Sequence, residues 1–228
     1  MNYQRVLVFG AHPDDEIAMA GTMAKLADQG CEVHVCISTD GSEGYPKPEW
    51  RDQIVALRKQ EQHDCDQVLG VARRHHIDAP DMGLTNDKAT FRAFIRVIRE
   101  VRPEAIFTHG PHDTHRDHLN THAISIEAAW QAGQPVSADL GEPWATRHVF
   151  YYKAVADQRA CFMVNVTGYA HKPAEARATQ VSQHVLFNRD REQFLAEAEA
   201  IQQSPGPYFE RFWPTERMVF HDLPPREL

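Results

Sequence analysis

Two short segments concentrate histidine and carboxylate side chains at spacings that suit a bound metal ion. The first is the run Ala-His-Pro-Asp-Asp-Glu at 11–16, which directly follows an apolar segment. A zinc site needs a neutral imidazole and a carboxylate within about 2.0–2.2 Å of the metal. His12 and Asp15, on one turn, can point toward the same ion, and Asp14 then stays free. A simpler interpretation is that Pro13 and the acidic residues only begin a helix, because acidic side chains favour the first turn.

The second segment, at 112–122, has the sequence His-Asp-Thr-His-Arg-Asp-His-Leu-Asn-Thr-His. His118 and His122 share a helix face at a spacing of i, i+4, which by itself is often only a solvated surface feature. His115 and Asp117 are further ligand candidates. Each of the two clusters directly follows a predicted strand, and two such clusters at neighbouring strand ends are difficult to explain by accident. The sequence therefore predicts a metal site.

The elements that must position these residues alternate between strand and helix patterns. Short apolar runs predict strands at 6–9, 33–38 and 105–108, and helical periodicity predicts helices at 16–29, about 50–69, about 90–102 and 118–132. This alternation predicts an α/β, Rossmann-like fold with a mainly parallel sheet and helices on both faces. In such sheets ligands bind beyond the carboxyl ends of the strands. Both histidine clusters follow strand ends of this kind.

The chain is predicted to form a single domain over 1–228, with a small C-terminal α+β portion at 147–228. A loop around 133–146, rich in Gly, Pro and Ala, precedes that portion. Strand-like segments at 147–153 and 162–166 are followed by one predicted helix at about 174–202. With 42% hydrophobic residues, a chain of 228 residues can bury a sizeable core without disulfide bonds.

Composition excludes several classes of protein. A net charge of −8 argues against a protein that tracks nucleic-acid phosphates. No apolar run reaches the length of a membrane span, and the start Met-Asn-Tyr-Gln-Arg-Val lacks a cleavable signal pattern. The four cysteines form no Cys-x-x-Cys pair, so we expect reduced, mostly buried thiols and a cytoplasmic protein. His75 and His76 are expected at the surface or in a loop.

Beyond the two histidine clusters, much of the chain resembles the PIG-L family, also called the LmbE-like de-N-acetylases. The pairing of Ala-His-Pro-Asp-Asp-Glu at 11–16 with His-x-Asp-His at 115–118 carries the resemblance. Further similar segments lie at 56–71, 81–87, 164–168, 182–183 and 210–212. The resemblance thus covers nearly the whole chain. The length of the chain is closest to that of the compact bacterial members that act on thiol-precursor glycosides.

The resemblance implies a zinc-dependent hydrolase that removes an N-acetyl group from an N-acetylglucosamine-type amino sugar or its glycoside and releases acetate. His12, Asp15 and His118 match the family's zinc ligands, with a fourth position for water. Asp14 matches its general base. His115 matches the residue that stabilises the oxyanion and protonates the leaving amine. Iron in place of zinc also suits such a ligand set.

The resemblance also implies substrate contacts and a supporting carboxylate. Arg58 matches a substrate-contacting arginine, and Asp87 is expected to accept hydrogen bonds from sugar hydroxyls. The simpler interpretation of Arg58 is a surface pair with Glu61, worth a few tenths of a kcal/mol. Asp117 is expected to hold the tautomer of a histidine ligand. The chain departs from the pattern at Arg116, where many members have proline, which can alter the loop or add a positive contact.

There are three alternatives to this interpretation, and the sequence argues against the last two. The same site can cleave another amide conjugate or remove another acyl group. A nucleotide-binding oxidoreductase is disfavoured because no Gly-x-Gly-x-x-Gly follows strand 6–9. A non-catalytic sugar- or metal-binding module has no use for a free carboxylate at Asp14. The expected partner is a small amino-sugar substrate, with no nucleic acid and no membrane, and exposed-looking aromatic residues leave room for a homo-oligomer.

Overall fold

The architecture is an α/β sandwich around one sheet, seen in a computed structural model that describes residues 3–153 and 161–216. The strands are β1 (Arg5–Gly10), β2 (Glu32–Thr39), β3 (Val71–Ala79), β4 (Ala105–His109), β5 (His148–Lys153), β6 (Phe162–Asn165) and β7 (Phe209–Pro214). The helices are α1 (Ala20–Asp28), α2 (Ile54–Leu69), α3 (Lys88–Val101), α4 (Arg116–Ala132), α5 (Lys172–Thr179), α6 (His184–Phe187) and α7 (Arg191–Gln202).

The sheet has the strand order β3-β2-β1-β4-β5-β7-β6. The first five strands in this order are parallel, and β7 pairs antiparallel with both β5 and β6. The chain order reverses between β1 and β4, and at such a switch point loops diverge and leave a crevice for a ligand. The predicted Rossmann-like α/β fold is confirmed, and the C-terminal strands extend the same sheet.

The side chains of β1 point alternately to the two faces of the sheet, and the hydrophobic core accordingly has two halves. Val6 and Val8 point to one face and pack with residues of α1, α2 and α5, whereas Leu7 and Phe9 point to the other and pack with α3 and α4. All four side chains are fully buried. A strand covered on both faces has apolar residues at consecutive positions, which is why β1 could be predicted from Val-Leu-Val-Phe.

Several predicted elements need correction. The helix predicted from about residue 50 begins at Ile54, after a short 3-10 turn. The helix predicted over 174–202 is three helices, because Asn188 adopts a left-handed conformation after α6 and Asp190 caps a new helix with a capping box. The strands β3 and β7 were not predicted. His75 and His76 lie within β3, and His75 is buried rather than in a loop.

A buried arginine holds the loop that follows α4. Arg99 is 4% exposed, and its guanidinium group donates hydrogen bonds to five backbone carbonyl groups. These acceptors are Ala132, Gln134, Val136, Ser137 and Gly141, at 2.7–3.2 Å. The loop around 133–146 is therefore fastened to α3.

Replacing Arg99 with Met should lower the free energy of unfolding by about 3 kcal/mol, because several buried carbonyl groups lose a charged donor. Urea unfolding followed by circular dichroism measures this loss. Arg96→Met, on the exposed side of the same helix, is the matched control and should change stability little. Equal stability of the two variants would show that the loop is held by other contacts.

Within the described residues, no helix combines the length and the apolar character needed to cross a bilayer.

Candidate metal centre and active site

The turn after β1 fixes the orientation of the Asp15 carboxylate. Its Oδ2 atom accepts hydrogen bonds from the backbone N–H groups of Ala11 at 2.9 Å and His12 at 2.8 Å. Its Oδ1 atom faces α4 and lies 3.4 Å from Nε2 of His118. The backbone of Asp14 has φ 156° and ψ −9°, which a residue with a side chain rarely adopts. Strained backbone of this kind is concentrated at functional sites.

The three predicted ligands come together. Nδ1 of His12 lies 3.1 Å from Nε2 of His118 and 3.6 Å from Oδ2 of Asp15. Two ligands at about 2.0–2.2 Å from a tetrahedral zinc ion are separated by about 3.3–3.6 Å. One carboxylate and two imidazoles are donors that suit a divalent metal ion, and they lie close together, with His12 nearest Oδ2 and His118 nearest Oδ1 of Asp15.

The outer nitrogen of each histidine ligand has a carboxylate partner. Nδ1 of His118 lies 2.8 Å from Oδ2 of Asp113, and Nε2 of His12 lies 3.1 Å from Oδ1 of Asp81. Such pairs place the proton on the outer nitrogen and leave the inner lone pair for a metal. Neither aspartate was predicted, although Asp113 stands within the second histidine cluster and Asp81 follows β3.

A buried histidine behind the site was also missed. His109, the last residue of β4, is fully buried, and its Nε2 atom lies 3.2 Å from Oδ2 of Asp15. Burial lowers the pKa of His109 to about 4, so the ring is neutral at physiological pH. The ring belongs to a second potential ligand group with Asp15 and His118. Its position at the end of an apolar strand is the sequence feature from which His109 could have been predicted as a site residue.

Asp117 contacts both the loop after β3 and the ring of His12. It is fully buried and accepts hydrogen bonds from the backbone N–H groups of Met82 at 2.7 Å and Leu84 at 3.3 Å. Its Oδ2 atom is also 3.4 Å from Nε2 of His12, a weaker contact than that of Asp81. Asp117 thus mainly holds the loop after β3 against the metal centre.

Three other residues lie away from the ligand group. The Asp87 carboxylate caps α3 by accepting hydrogen bonds from the N–H groups of Ala89 and Thr90, so the structure does not bring it to the cavity. Arg116 is exposed at the first position of α4. His122 has its Nδ1 atom 3.0 Å from the carbonyl oxygen of His109 and joins none of the potential metal groups among residues 3–153 and 161–216.

Arg58 is buried against the turn that carries the ligands. Its guanidinium Nη2 donates to Oδ2 of Asp14 at 2.8 Å and to the carbonyl oxygen of Pro13 at 2.7 Å. A Cβ atom at residue 44 would collide with Nη1 of Arg58, so Gly44 makes room for this contact. The alternative of a surface pair with Glu61 is wrong, because Arg58 is 3% exposed and Glu61 instead accepts hydrogen bonds from Ser182.

A cavity of about 320 Å³ joins these side chains. Its walls include the three predicted ligands, Asp14, Arg58 and His115, together with Glu43, Gly44, Asp81 and Met82. The His115 ring packs edge-on against that of His12, with centroids 4.5 Å apart. Nδ1 of His115 accepts a hydrogen bond from the N–H group of Asp117, which leaves Nε2 as the proton-bearing nitrogen of the neutral ring.

The electrostatics of the site favour a bound cation. Burial lowers the pKa of His12, but the hydrogen bonds that its ring donates to Asp15 and Asp81 outweigh burial and raise that pKa to about 10, which indicates a strong negative field. The Asp14 side chain is 31% exposed, but protein atoms displace water from its other sides. This desolvation raises the pKa of Asp14 to about 6, and Arg58 opposes the shift.

Asp113→Asn should weaken metal affinity about tenfold or more, because the charge that orients His118 and makes its ring more basic is lost. Competition with a chromogenic chelator measures the dissociation constant. Asp64→Asn, at an exposed carboxylate on α2, is the control. Unchanged affinity in Asp113→Asn would mean that the backbone alone orients His118.

Comparisons with known proteins assign the chain to a family. The sequence profile of the PIG-L family, described as GlcNAc-PI de-N-acetylase, matches residues 7–129, more than half of the chain. A 1D-myo-inositol 2-acetamido-2-deoxy-alpha-D-glucopyranoside deacetylase of Rhodococcus jostii is 32% identical over 180 residues, covering 66% of this chain and 62% of the relative. A diacetylchitobiose deacetylase of Thermococcus kodakarensis is 34% identical over 137 residues, covering 58% of this chain and 51% of the relative. The match thus spans less than two thirds of either relative.

Solved structures show the same fold at lower identity. The N,N'-diacetylchitobiose deacetylase of Pyrococcus horikoshii superposes with a TM-score of 0.79 at 22% identity, covering 94% of this chain and 84% of that one. The 4-carboxy-2-hydroxymuconate hydratase of Pseudomonas putida has the same TM-score of 0.79 at 20% identity, covering 97% and 100%. The fold is therefore shared by proteins with different activities, and the sequence match is what assigns the family. The chain belongs to the PIG-L family of GlcNAc-PI de-N-acetylases.

Proposed function

We propose that this protein is a metal-dependent hydrolase that removes the N-acetyl group from an N-acetylglucosamine-type amino sugar or its glycoside and releases acetate. The observation that carries the proposal is the group of His12, Asp15 and His118, whose nearest nitrogen and oxygen atoms lie 3.1–3.6 Å apart beside the carboxylate of Asp14. Two curated relatives that support it are deacetylases of acetamido sugars.

The three ligands would hold zinc, and a site of two histidines and one aspartate also suits iron. A divalent metal in this position supplies a Lewis acid that polarises an acyl oxygen and lowers the pKa of water toward about 7. The residues Asp113 and Asp81 keep both imidazoles oriented for this task.

Asp14 is suited to be the general base. It stands next to the ligand Asp15 and lines the cavity, but its contact with Arg58 uses only one carboxylate oxygen in the described hydrogen bonds. A carboxylate within hydrogen-bond reach of the attacking water can take its proton and later deliver it to the departing nitrogen. Arg58 keeps that carboxylate turned toward the cavity.

His115 is suited to stabilise the charge that develops on the acyl oxygen. Its Nε2–H group is free to donate into the cavity because Nδ1 already accepts from the backbone of Asp117. A fixed donor aimed at a developing oxyanion is commonly worth about a hundredfold or more in rate. Because the neutral ring carries only this proton, the proton for the leaving amine would come from Asp14.

The cavity volume of about 320 Å³ falls at the lower end of the range of about 300–1,000 Å³ for small-molecule sites. This volume suits a small molecule, the substrates named for the relatives support an acetamido sugar, and Arg58 and Glu43 are polar wall residues of the cavity. Asp87 caps α3 and does not line the cavity, so it is not proposed to contact the sugar. A cytoplasmic location, a single domain and a homo-oligomer stay predictions.

An acetate-release screen tests the proposed activity. The purified zinc-loaded protein is incubated with N-acetylglucosamine, its glycosides, nucleotide sugars and short chitooligosaccharides, and free acetate and free amine are both measured. We expect equal amounts of the two products from at least one acetamido sugar. Release from non-sugar amides alone would instead support the alternative of another amide conjugate, and release from none would support a binding module.

Arg58→Met should reduce turnover about tenfold to a hundredfold on an acetamido sugar, because a misplaced base loses much of its effect. A simple activated acetyl ester, which presents no sugar, should also be cleaved more slowly if Arg58 acts through Asp14. Arg73→Met, at a 61% exposed side chain, is the control. A loss confined to the sugar would instead assign Arg58 to substrate binding alone.

A further inference from the structure

Lys153 brings an ammonium group to the metal centre from a strand that the sequence did not connect with it. It is the last residue of β5, which runs parallel to β4 in the sheet. Its Nζ atom lies 2.6 Å from Oδ1 of Asp15. The Lys153 side chain is 30% exposed and the Asp15 side chain 6%, so the ion pair is partly shielded from water.

The contact uses the one oxygen of Asp15 that the turn leaves free. Oδ2 is held by the backbone N–H groups of Ala11 and His12, whereas Oδ1 faces Nε2 of His118 at 3.4 Å. A metal bound between these ligands needs a lone pair of Asp15 on that side. An ammonium group has donors only, and at short range it repels a divalent cation strongly where water is partly excluded.

We propose that Lys153 is a positioning residue for Asp15 that competes with the metal for Oδ1 and thereby sets the affinity of the site. This inference rests on the proposed function, since it takes Asp15 as a metal ligand. In the ion pair, Lys153 neutralises Asp15 and keeps its carboxylate oriented. Each metal binding event then has to displace the ammonium group, which lowers affinity and favours metal exchange.

The surroundings of Lys153 let this displacement occur without movement of the sheet. Its side chain also lines an open cleft of about 670 Å³, together with Pro111, His112, Asp113, Thr114 and Leu119. The backbone of Lys153 is fixed because its carbonyl oxygen accepts a hydrogen bond from the N–H group of Gly110 at 2.8 Å. The flexible four-carbon stem can therefore swing from Asp15 into the cleft while β5 stays in place.

The experiment measures zinc dissociation constants by competition with a chromogenic chelator, for the wild-type protein and for four variants. Lys153→Met removes the charge and keeps an unbranched side chain one atom shorter, and Lys153→Arg keeps the charge. Lys172→Met is the matched control, because Lys172 is 24% exposed, forms an ion pair with Glu175 at 2.9 Å and lines neither cavity. Asp15→Asn tests the ligand itself.

We expect Lys153→Met to bind zinc at least about tenfold more tightly than the wild type, and zinc to raise its Tm by a larger amount. Lys153→Arg and Lys172→Met should stay close to the wild type, and Asp15→Asn should lose affinity. Unchanged or weaker binding in Lys153→Met, with Asp15→Asn impaired, overturns the competition alone. Wild-type affinity in Asp15→Asn overturns the ligand assignment and the competition with it.

Discussion

Asp14→Asn is expected to lower the kcat of acetate release about a hundredfold or more while zinc content stays at the wild-type level. The substitution leaves every proposed ligand atom of His12, Asp15 and His118 in place. It removes the proton acceptor, because an amide cannot take a proton from water at neutral pH. Elemental analysis and initial rates on the same samples measure the two quantities together.

The Asp14 variant needs a control for its contact with Arg58. Asp64→Asn makes the same chemical change at an exposed carboxylate of α2 and should leave the rate unchanged. A Tm close to that of the wild type shows that the turn after β1 is intact. A near wild-type rate for Asp14→Asn would mean that Asp14 only begins the following helical turn and that another base serves the reaction.

His118→Ala is expected to abolish tight metal binding and, with it, activity. His118 contributes the only proposed ligand from the second histidine cluster, and its Nε2 atom is close to both other ligands, at 3.1 Å from His12 and 3.4 Å from Asp15. Two ligands from one turn cannot hold the ion in a tetrahedral site without it. Zinc content after gel filtration in the presence of a weak chelator measures the effect.

His122→Ala is the control for that variant, because His122 lies one turn further along α4 and belongs to none of the potential metal groups. It should retain zinc. Full metal retention in His118→Ala, or equal losses in both variants, would contradict the assignment. If His118→Ala retains its metal, the group of His12, Asp81 and Asp117 becomes the stronger candidate for the metal site.

The local signals of the sequence were sufficient to predict the parallel strands β1, β2 and β4 and to place a histidine cluster after β1 and after β4. Strands such as Val6–Phe9 are buried on both faces and read as apolar runs, and the two histidine clusters follow such strands directly. The carboxyl ends of parallel neighbours meet at one edge, so the convergence of His12 with His118 follows from strand order.

Residues that act through long-range contacts could not be found in this way. β3 carries Arg-Arg-His-His in its centre and pairs within the parallel sheet only with β2, so it lacks the apolar pattern of a buried strand. Lys153 stands 138 positions from its partner Asp15 in the sequence, and only the pairing of β5 with β4 brings it there. The predicted role of Asp87 was wrong because an aspartate that caps a helix and an aspartate in a substrate-side loop have the same local sequence pattern.

Metal reconstitution of acetate release is the measurement that tests the proposed function most directly. The protein is freed of metal with a chelator, titrated with zinc, and assayed after each addition on the acetamido sugar identified by the screen. We predict no release from the metal-free protein, recovery in proportion to added zinc up to one equivalent per chain, and no recovery in Asp14→Asn. Acetate release that persists without metal, or that survives in Asp14→Asn, would contradict the proposed site.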